Sequence, residues 1–318
     1  MTPIRTRDGT DAIPPGIHEF LTLDLVPLAA VTLAAGTLAL LGSFLVLRRQ
    51  VLLGDAMAHA VLPGLVVGFL ATGLRTPLPM FLGALGAATV ASASIGLITR
   101  YGRVDRTAAI GLVYTSLFAL GVLLVETAGP RNVDLDIDCV LSGQLELLFW
   151  AAPARTWAEV LSAQSLATLP RGVWVLAALF VASIAFVAAS WRLLRVATFD
   201  PAFARTRGLR PGLVSFALLA LTTLAIVSAF DALGSILVVA LLTCPPAAAR
   251  LVTDRMAPFV ALATALGVAA GLAGYLAATR VAPHVLGSAV DASGSVAATA
   301  GLWLAGAACV AARKRRAR

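Results

Sequence analysis

The chain has 318 residues, 59% hydrophobic and only 13% charged, with a net charge of +8. Soluble globular domains carry about 45–50% apolar and about 25% charged residues, so this composition excludes a soluble enzyme, a disordered chain and a disulfide scaffold. The apolar excess runs along nearly the whole length, which also excludes a soluble domain on a lone membrane anchor.

About 20 residues rising about 1.5 Å each cross a hydrocarbon layer. Nine charge-free stretches of that order follow in chain order: 25–47, 56–74, 76–99, 107–125, 172–191, 211–230, 232–249, 256–279 and 292–312. They predict an all-α polytopic membrane bundle of about nine helices, with eight or ten also compatible. Residues 25–312 form its membrane domain, between an N-terminal extension (1–24) and a basic tail (313–318). The first apolar run is too long for a cleaved signal peptide, and Asp8, Asp11, Glu19 and Asp24 precede it. Region 126–171 is polar at 131–138 and then apolar but short; it reads as an outer loop with one or two interfacial or re-entrant helices. Gly64–Gly68 and Gly267–Gly271 are GxxxG pairs that let backbones approach, though the motif is common by chance in a chain this rich in Gly and Ala.

Orientation follows from the basic residues. Seventeen of the 24 fall on one side of the nine-span arrangement, among them Arg48, Arg49, Arg100, Arg103 and the RKRR tail, and seven on the other. The richer side is predicted to be cytoplasmic, with the N-terminus outside and the C-terminus inside. Acidic residues lean the other way, and Trp150, Trp157 and Trp174 are expected as anchors at the outer boundary, with Trp191 at the inner one. Short basic clusters between apolar runs thus report topology and a lipid environment, not nucleic-acid binding.

Lys314 is the only lysine and lies in the tail, so the chain holds no P-loop of its own. HExxH and GxSxG are absent. Cys139, Cys244 and Cys309 are widely spaced and read as small apolar helix residues.

Three segments carry chemistry. In Arg48–Gly64, Asp55 and His59 are four apart, which stacks them on one helix face. A carboxylate beside an imidazole suits Zn²⁺ or Mn²⁺, and ionisable groups within a span are functional hypotheses by default. The alternative is that Asp55 caps the helix start and His59 bonds locally. Two ligands are too few for a closed site, so water, other helices or a second subunit are required. In Phe199–Leu209, Asp200 is placed to cap a short amphipathic helix with Pro201 at its first position and Gly208 at its end; the alternative is a solvated loop helix. In Val133–Gly143, the alternating acids Asp134, Asp136 and Asp138 form an outer entry that concentrates cations, or a plain solvated loop.

Together these residues resemble the permease family of ATP-binding-cassette importers for zinc, manganese and iron. The resemblance is carried by Gly54-Asp55-Ala56 followed by His59-Ala60-Val61-Leu62-Pro63-Gly64, close to a GDAxxHAVLPG signature. Gly42–Arg49, Ala108–Gly111, Asp134–Asp136, Phe199–Pro201 and Leu241–Pro245 also fit. The resemblance implies a transport subunit of the bacterial inner membrane that is not itself an enzyme and holds no permanent cofactor. Its cargo is a divalent ion, Mn²⁺ or Zn²⁺ and in some members Fe²⁺. Its partners are a cytoplasmic ATPase dimer, a second permease subunit (identical or paralogous) and an external metal-binding protein. It implies Asp55 and His59 as transit ligands. It also implies 199–209 as the element that docks into the ATPase, through Phe199, Asp200, Pro201, Ala204 and Gly208. The competing readings are an ion-coupled secondary transporter and an intramembrane enzyme using Asp55 and His59 as an acid–base pair.

Overall fold

The computed structural model describes residues 18–73, 77–128, 143, 145, 148–150, 167–287 and 290–316. Its helices, in chain order, are α1 (Leu25–Leu47, opening on a wide π turn at Phe20–Asp24), α2 (Val51–Thr72), α3 (Pro77–Tyr101), α4 (Arg106–Ala128) and α5 (Arg171–Ala189). Then come α6 (Trp191–Phe199), α7 (Pro201–Thr206), α8 (Pro211–Val252) and α9 (Met256–Leu276). A second π turn at Ala277–Val281 carries α9 into α10 (Ala282–Leu286), and α11 (Ala292–Arg316) ends the described chain. Nine helical stretches among the described residues are long and apolar enough to cross a membrane, α8 supplying two of them.

The bundle is organised around α1. Every residue from Ala34 to Leu45 is buried, as expected of a helix that is apolar on all sides. Helices approach it where side chains are small. A Cβ on Gly42 would collide with the Leu242 carbonyl of α8, and one on Gly267 of α9 would stand 2.8 Å from the Ala35 carbonyl oxygen. The GxxxG pairs lie at such crossings: Gly64 and Gly68 of α2 meet Gly83 and Pro79 of α3, and Gly267 and Gly271 meet α1.

Helix α8 is a hairpin of two spans. Arg48 at the end of α1 bonds Ser215, while Gly42, six residues earlier, touches Leu242. A straight helix would hold positions 215 and 242 about 40 Å apart, against about 9 Å between positions 42 and 48. The reversal is at Gly234, whose φ of 75° and ψ of 167° lie outside the helical region and are essentially restricted to glycine. Gly143 (φ +79°) packs on this corner, where a Cβ would stand 2.5 Å from the Gly234 nitrogen.

Several hydroxyls inside the spans turn back to their own helix. Thr37 donates to the Leu33 carbonyl, Thr222 to Leu218 and Ser43 to Leu40, which satisfies them without water. Leu78, Leu82, Leu112, Val181 and Leu302 point outward from α3, α4, α5 and α11 and form the apolar surface a lipid layer requires. On the side opposite Arg48, Asp24 bonds Arg280 at 2.6 Å and accepts from the Tyr275 hydroxyl at 3.1 Å. This pairing gives Asp24, expected in the N-terminal extension, a place in the helix that runs into α1.

Trp150 departs from expectation. It is 1% exposed, so its ring is enclosed by the protein instead of facing lipid; its amide donates to the Thr22 carbonyl and its indole to Thr168. Trp174 is exposed as an anchor would be, whereas Trp157 lies outside the described residues, as does most of 126–171.

Gly42→Val is expected to destabilise the protein by about 1–3 kcal/mol through overpacking. Gly86→Ala, which faces open space on α3, is expected to be neutral or to stabilise by about 0.5–1 kcal/mol. Thermal midpoints in detergent compare the two. Asp200→Ala removes the cap of α7 and costs about 1 kcal/mol; the Phe203 amide is then expected to exchange hydrogen about fivefold faster.

Candidate metal-transit site and coupling segment

The chain passes from α1 to α2 through three residues. The Arg48, Arg49 and Gln50 amides donate to the Phe44, Val46 and Leu45 carbonyls, and Arg49 takes a positive φ of 55°. Helix α2 therefore starts at Val51 behind an N-cap at Gln50, five residues before the expected start at 56. A charge-free window cannot include Asp55, yet the helix does. Asp55 sits one turn inside α2, so the alternative that it caps the helix start does not hold. Its side chain is not among those described.

His59 lies one turn further on and is half-buried. Its ring meets Tyr114 edge-on at 4.6 Å and Phe118 at 5.6 Å. Both aromatics are on α4, four residues apart and stacked at 22°. Gly121 of α4 lies against Leu62 and Pro63 of α2. Since 59 faces 114 and 118, and 63 faces 121, α2 and α4 run parallel. This register places Gly111 one turn before Tyr114, as Asp55 is one turn before His59, and a Cβ on Gly111 would meet only open space. Pro63 has no N–H to donate to the His59 carbonyl. On its other flank α2 is tied to α8, where the Thr223 hydroxyl donates to the Met57 sulfur at 3.1 Å. No group of three or more metal-ligating side chains occurs among the described residues. Asp134, Asp136 and Asp138 lie outside the described residues.

The second segment is built as its residues dictate. Asp200 accepts from the Phe203 amide at 2.8 Å, Pro201 takes the first helical position, and Gly208 closes the segment with a φ of +72°. The helix is shorter than expected, six residues at Pro201–Thr206. Phe199 is 63% and Phe203 48% exposed, and Arg207 lies 5.4 Å from the Phe203 ring centre. Ala204 is fully buried, so it seats the helix on the bundle. The preceding helix α6 was not expected. Its Leu194 and Ala197 are buried while Arg192 and Arg195 face out, an amphipathic pattern too short and too charged to register as a span.

Tyr114 and Phe118 have no role in the sequence reading, and Arg48 enters it only as a topology charge and within the Gly42–Arg49 run. The Arg48 Nε donates to the Thr198 hydroxyl at 3.2 Å and its Nη1 to the Ser215 hydroxyl at 2.9 Å. Burial lowers its pKa from the ordinary arginine value. The i,i+4 aromatic pair on α4 was the available signal for the His59 neighbours; nothing local announces the Arg48 partners.

The fold resembles a chain of PsaBC from Streptococcus pneumoniae, solved in complex with Fab, with a TM-score of 0.69 at 24% identity over 89% of each chain. Among curated proteins, the chain is 34% identical to the manganese transport system membrane protein MntD of Bacillus subtilis, over 83% of this chain and 86% of that protein. It is 33% identical to the zinc transport system membrane protein TroD of Treponema pallidum, over 86% of this chain and 71% of that protein. The model of the ABC 3 transport family matches residues 19–148 and 158–302. With nearly all of its spans inside that match, the chain belongs to the ABC 3 transport family.

Proposed function

We propose that this chain is the membrane permease of an ATP-driven importer of divalent transition-metal ions, Mn²⁺ or Zn²⁺, in a bacterial plasma membrane. The observation that carries the reading is an acid and an imidazole one turn apart inside α2 of a chain in this family. The relatives bearing manganese and zinc in their names support the cargo class, and carboxylate with imidazole serves both ions.

In this reading the basic side is cytoplasmic, and an external metal-binding protein delivers the ion to the opposite face. Asp55 and His59 take it as it passes. One chain supplies two ligands, so a second permease copy bringing its own pair would raise the number to four. Tyr114 and Phe118 limit the swing of the His59 ring. Phe199 and Phe203 present apolar surface beside arginines for a cytoplasmic ATPase, and nucleotide-driven motion there is passed to the spans. Bond cleavage belongs to that partner.

Uptake of Mn²⁺ and Zn²⁺ by the reconstituted complex tests this. Asp55→Ala and His59→Ala are each expected to lower uptake about 10- to 100-fold or more, the range seen even for groups that only support a metal ligand. ATP-driven uptake that survives both substitutions would falsify the transit assignment. Tyr114→Leu, which removes one ring contact, is expected to shift the half-saturating metal concentration by about 2- to 10-fold; an unchanged value overturns the restraining role of that ring.

A further inference from the structure

We infer that Arg48 is a positioning residue that couples the ATPase-facing segment to the metal-bearing helix; this rests on the function proposed above. Thr198 immediately precedes Phe199 at the end of α6, and Ser215 is in the second turn of α8. These two residues bracket α7, one on the chain entering it and one on the chain leaving it. A single guanidinium holds both, Nε on Thr198 and Nη1 on Ser215, across 150 and 167 residues of sequence. On its own chain, Arg48 is fixed by the turn whose amides bond Phe44, Val46 and Leu45, three residues before α2 begins and seven before Asp55. Few atoms therefore separate α7 from α2: two helix-end hydroxyls, one guanidinium and a three-residue turn.

The chemistry of the tie is unlike that of a packing staple. Both acceptors are neutral hydroxyls, and the third nitrogen, Nη2, is buried with no partner among the described residues. A half-buried guanidinium with one donor unmatched among the described residues is a costly way to hold three helix ends together, and apolar packing would serve stability better. The planar fork has a property that packing lacks: its donors keep fixed directions, so two helix ends bonded to it are tied to one point. When α7 moves, Thr198 and Ser215 move the Arg48 turn, and with it the register of α2.

The complex purified with its ATPase and placed in liposomes tests this through metal uptake and ATP hydrolysis measured together, with Mn²⁺ and Zn²⁺ as the probes. Arg48→Met is expected to lower the metal moved per ATP by about 2- to 30-fold, with the half-saturating metal concentration and the thermal midpoint kept. Arg48→Lys, which retains charge but not the fork, is expected to rescue little. Thr198→Val with Ser215→Ala deletes only the two acceptors and is expected to reproduce Arg48→Met, which keeps the inference testable where the arginine variant folds poorly. Unchanged metal per ATP in the hydroxyl pair overturns the inference, as does a loss of uptake in that pair that tracks a fall in its thermal midpoint. Wild-type complex with no ATP-driven uptake overturns instead the function on which it rests.

Discussion

Close backbone approach around α1 is the constraint on which the rest of this structure depends. Lipid tails are as apolar as leucine, so burial of hydrophobic side chains gives spans little reason to associate; dispersion between tightly apposed backbones does. Gly42 against the Leu242 carbonyl, and Gly267 against Ala35 and Ala39, are the places where that apposition is made. Once α1 is held between α8 and α9, its two ends are fixed. One end carries Asp24 to Arg280 and Tyr275. The other carries the Arg48 turn, and so the start of α2.

The α8 corner shows how the same bundle tolerates a break. A reversal at Gly234 interrupts the helical ladder, and its backbone groups need neighbours in place of water. Gly143 is pressed against Leu233 and Gly234 with no room for a side chain, and Leu145 and Trp150 nearby are buried. The stretch between α4 and α5 therefore contributes core residues where it is described. It also binds back to the first span through the Trp150 amide and the Thr22 carbonyl. The two positive-φ glycines, one on each side of this contact, are what allow a loop and a helix corner to meet so closely.

The spans were legible because a membrane imposes a length and an apolarity that few other environments do, and all nine expected stretches correspond to helices. What was not legible has particular causes. A charge-free window ends at Asp55, while a helix has no objection to Asp55 at its second turn, so α2 begins earlier than the window does. Helix α6 leaves no span signal, because nine residues with two outward arginines satisfy no span criterion. Tryptophan favours interfaces, which marks Trp150 as an anchor in the sequence, but its ring is buried and its polar atoms are taken up by the half-buried Thr22 and the exposed Thr168. The surroundings of His59 and Arg48 depend on contacts between distant parts of the chain, and spacing along one helix carries no information about those.

Placing an acid and an imidazole one and two turns inside α2 has a thermodynamic consequence. Each ionisable group in a span is costly and persists only where function retains it. In the function proposed above, what retains them is a passing ion, with water or a second subunit completing the ligand set. A pair completed only by water or by another subunit holds an ion less firmly, and conduction requires that entry be favourable and exit remain fast. Transport in one direction then cannot come from the pair alone, because a site with equal affinity in two conformations shifts neither. The bias has to arrive from outside α2, and the Arg48 turn is the point where α2 meets the helix ends that flank the exposed phenylalanines. In the proposed mechanism a loosely completed metal pair and the attachment of α2 at the Arg48 turn have complementary parts: the first lets the ion leave, and the second sets the side to which it leaves.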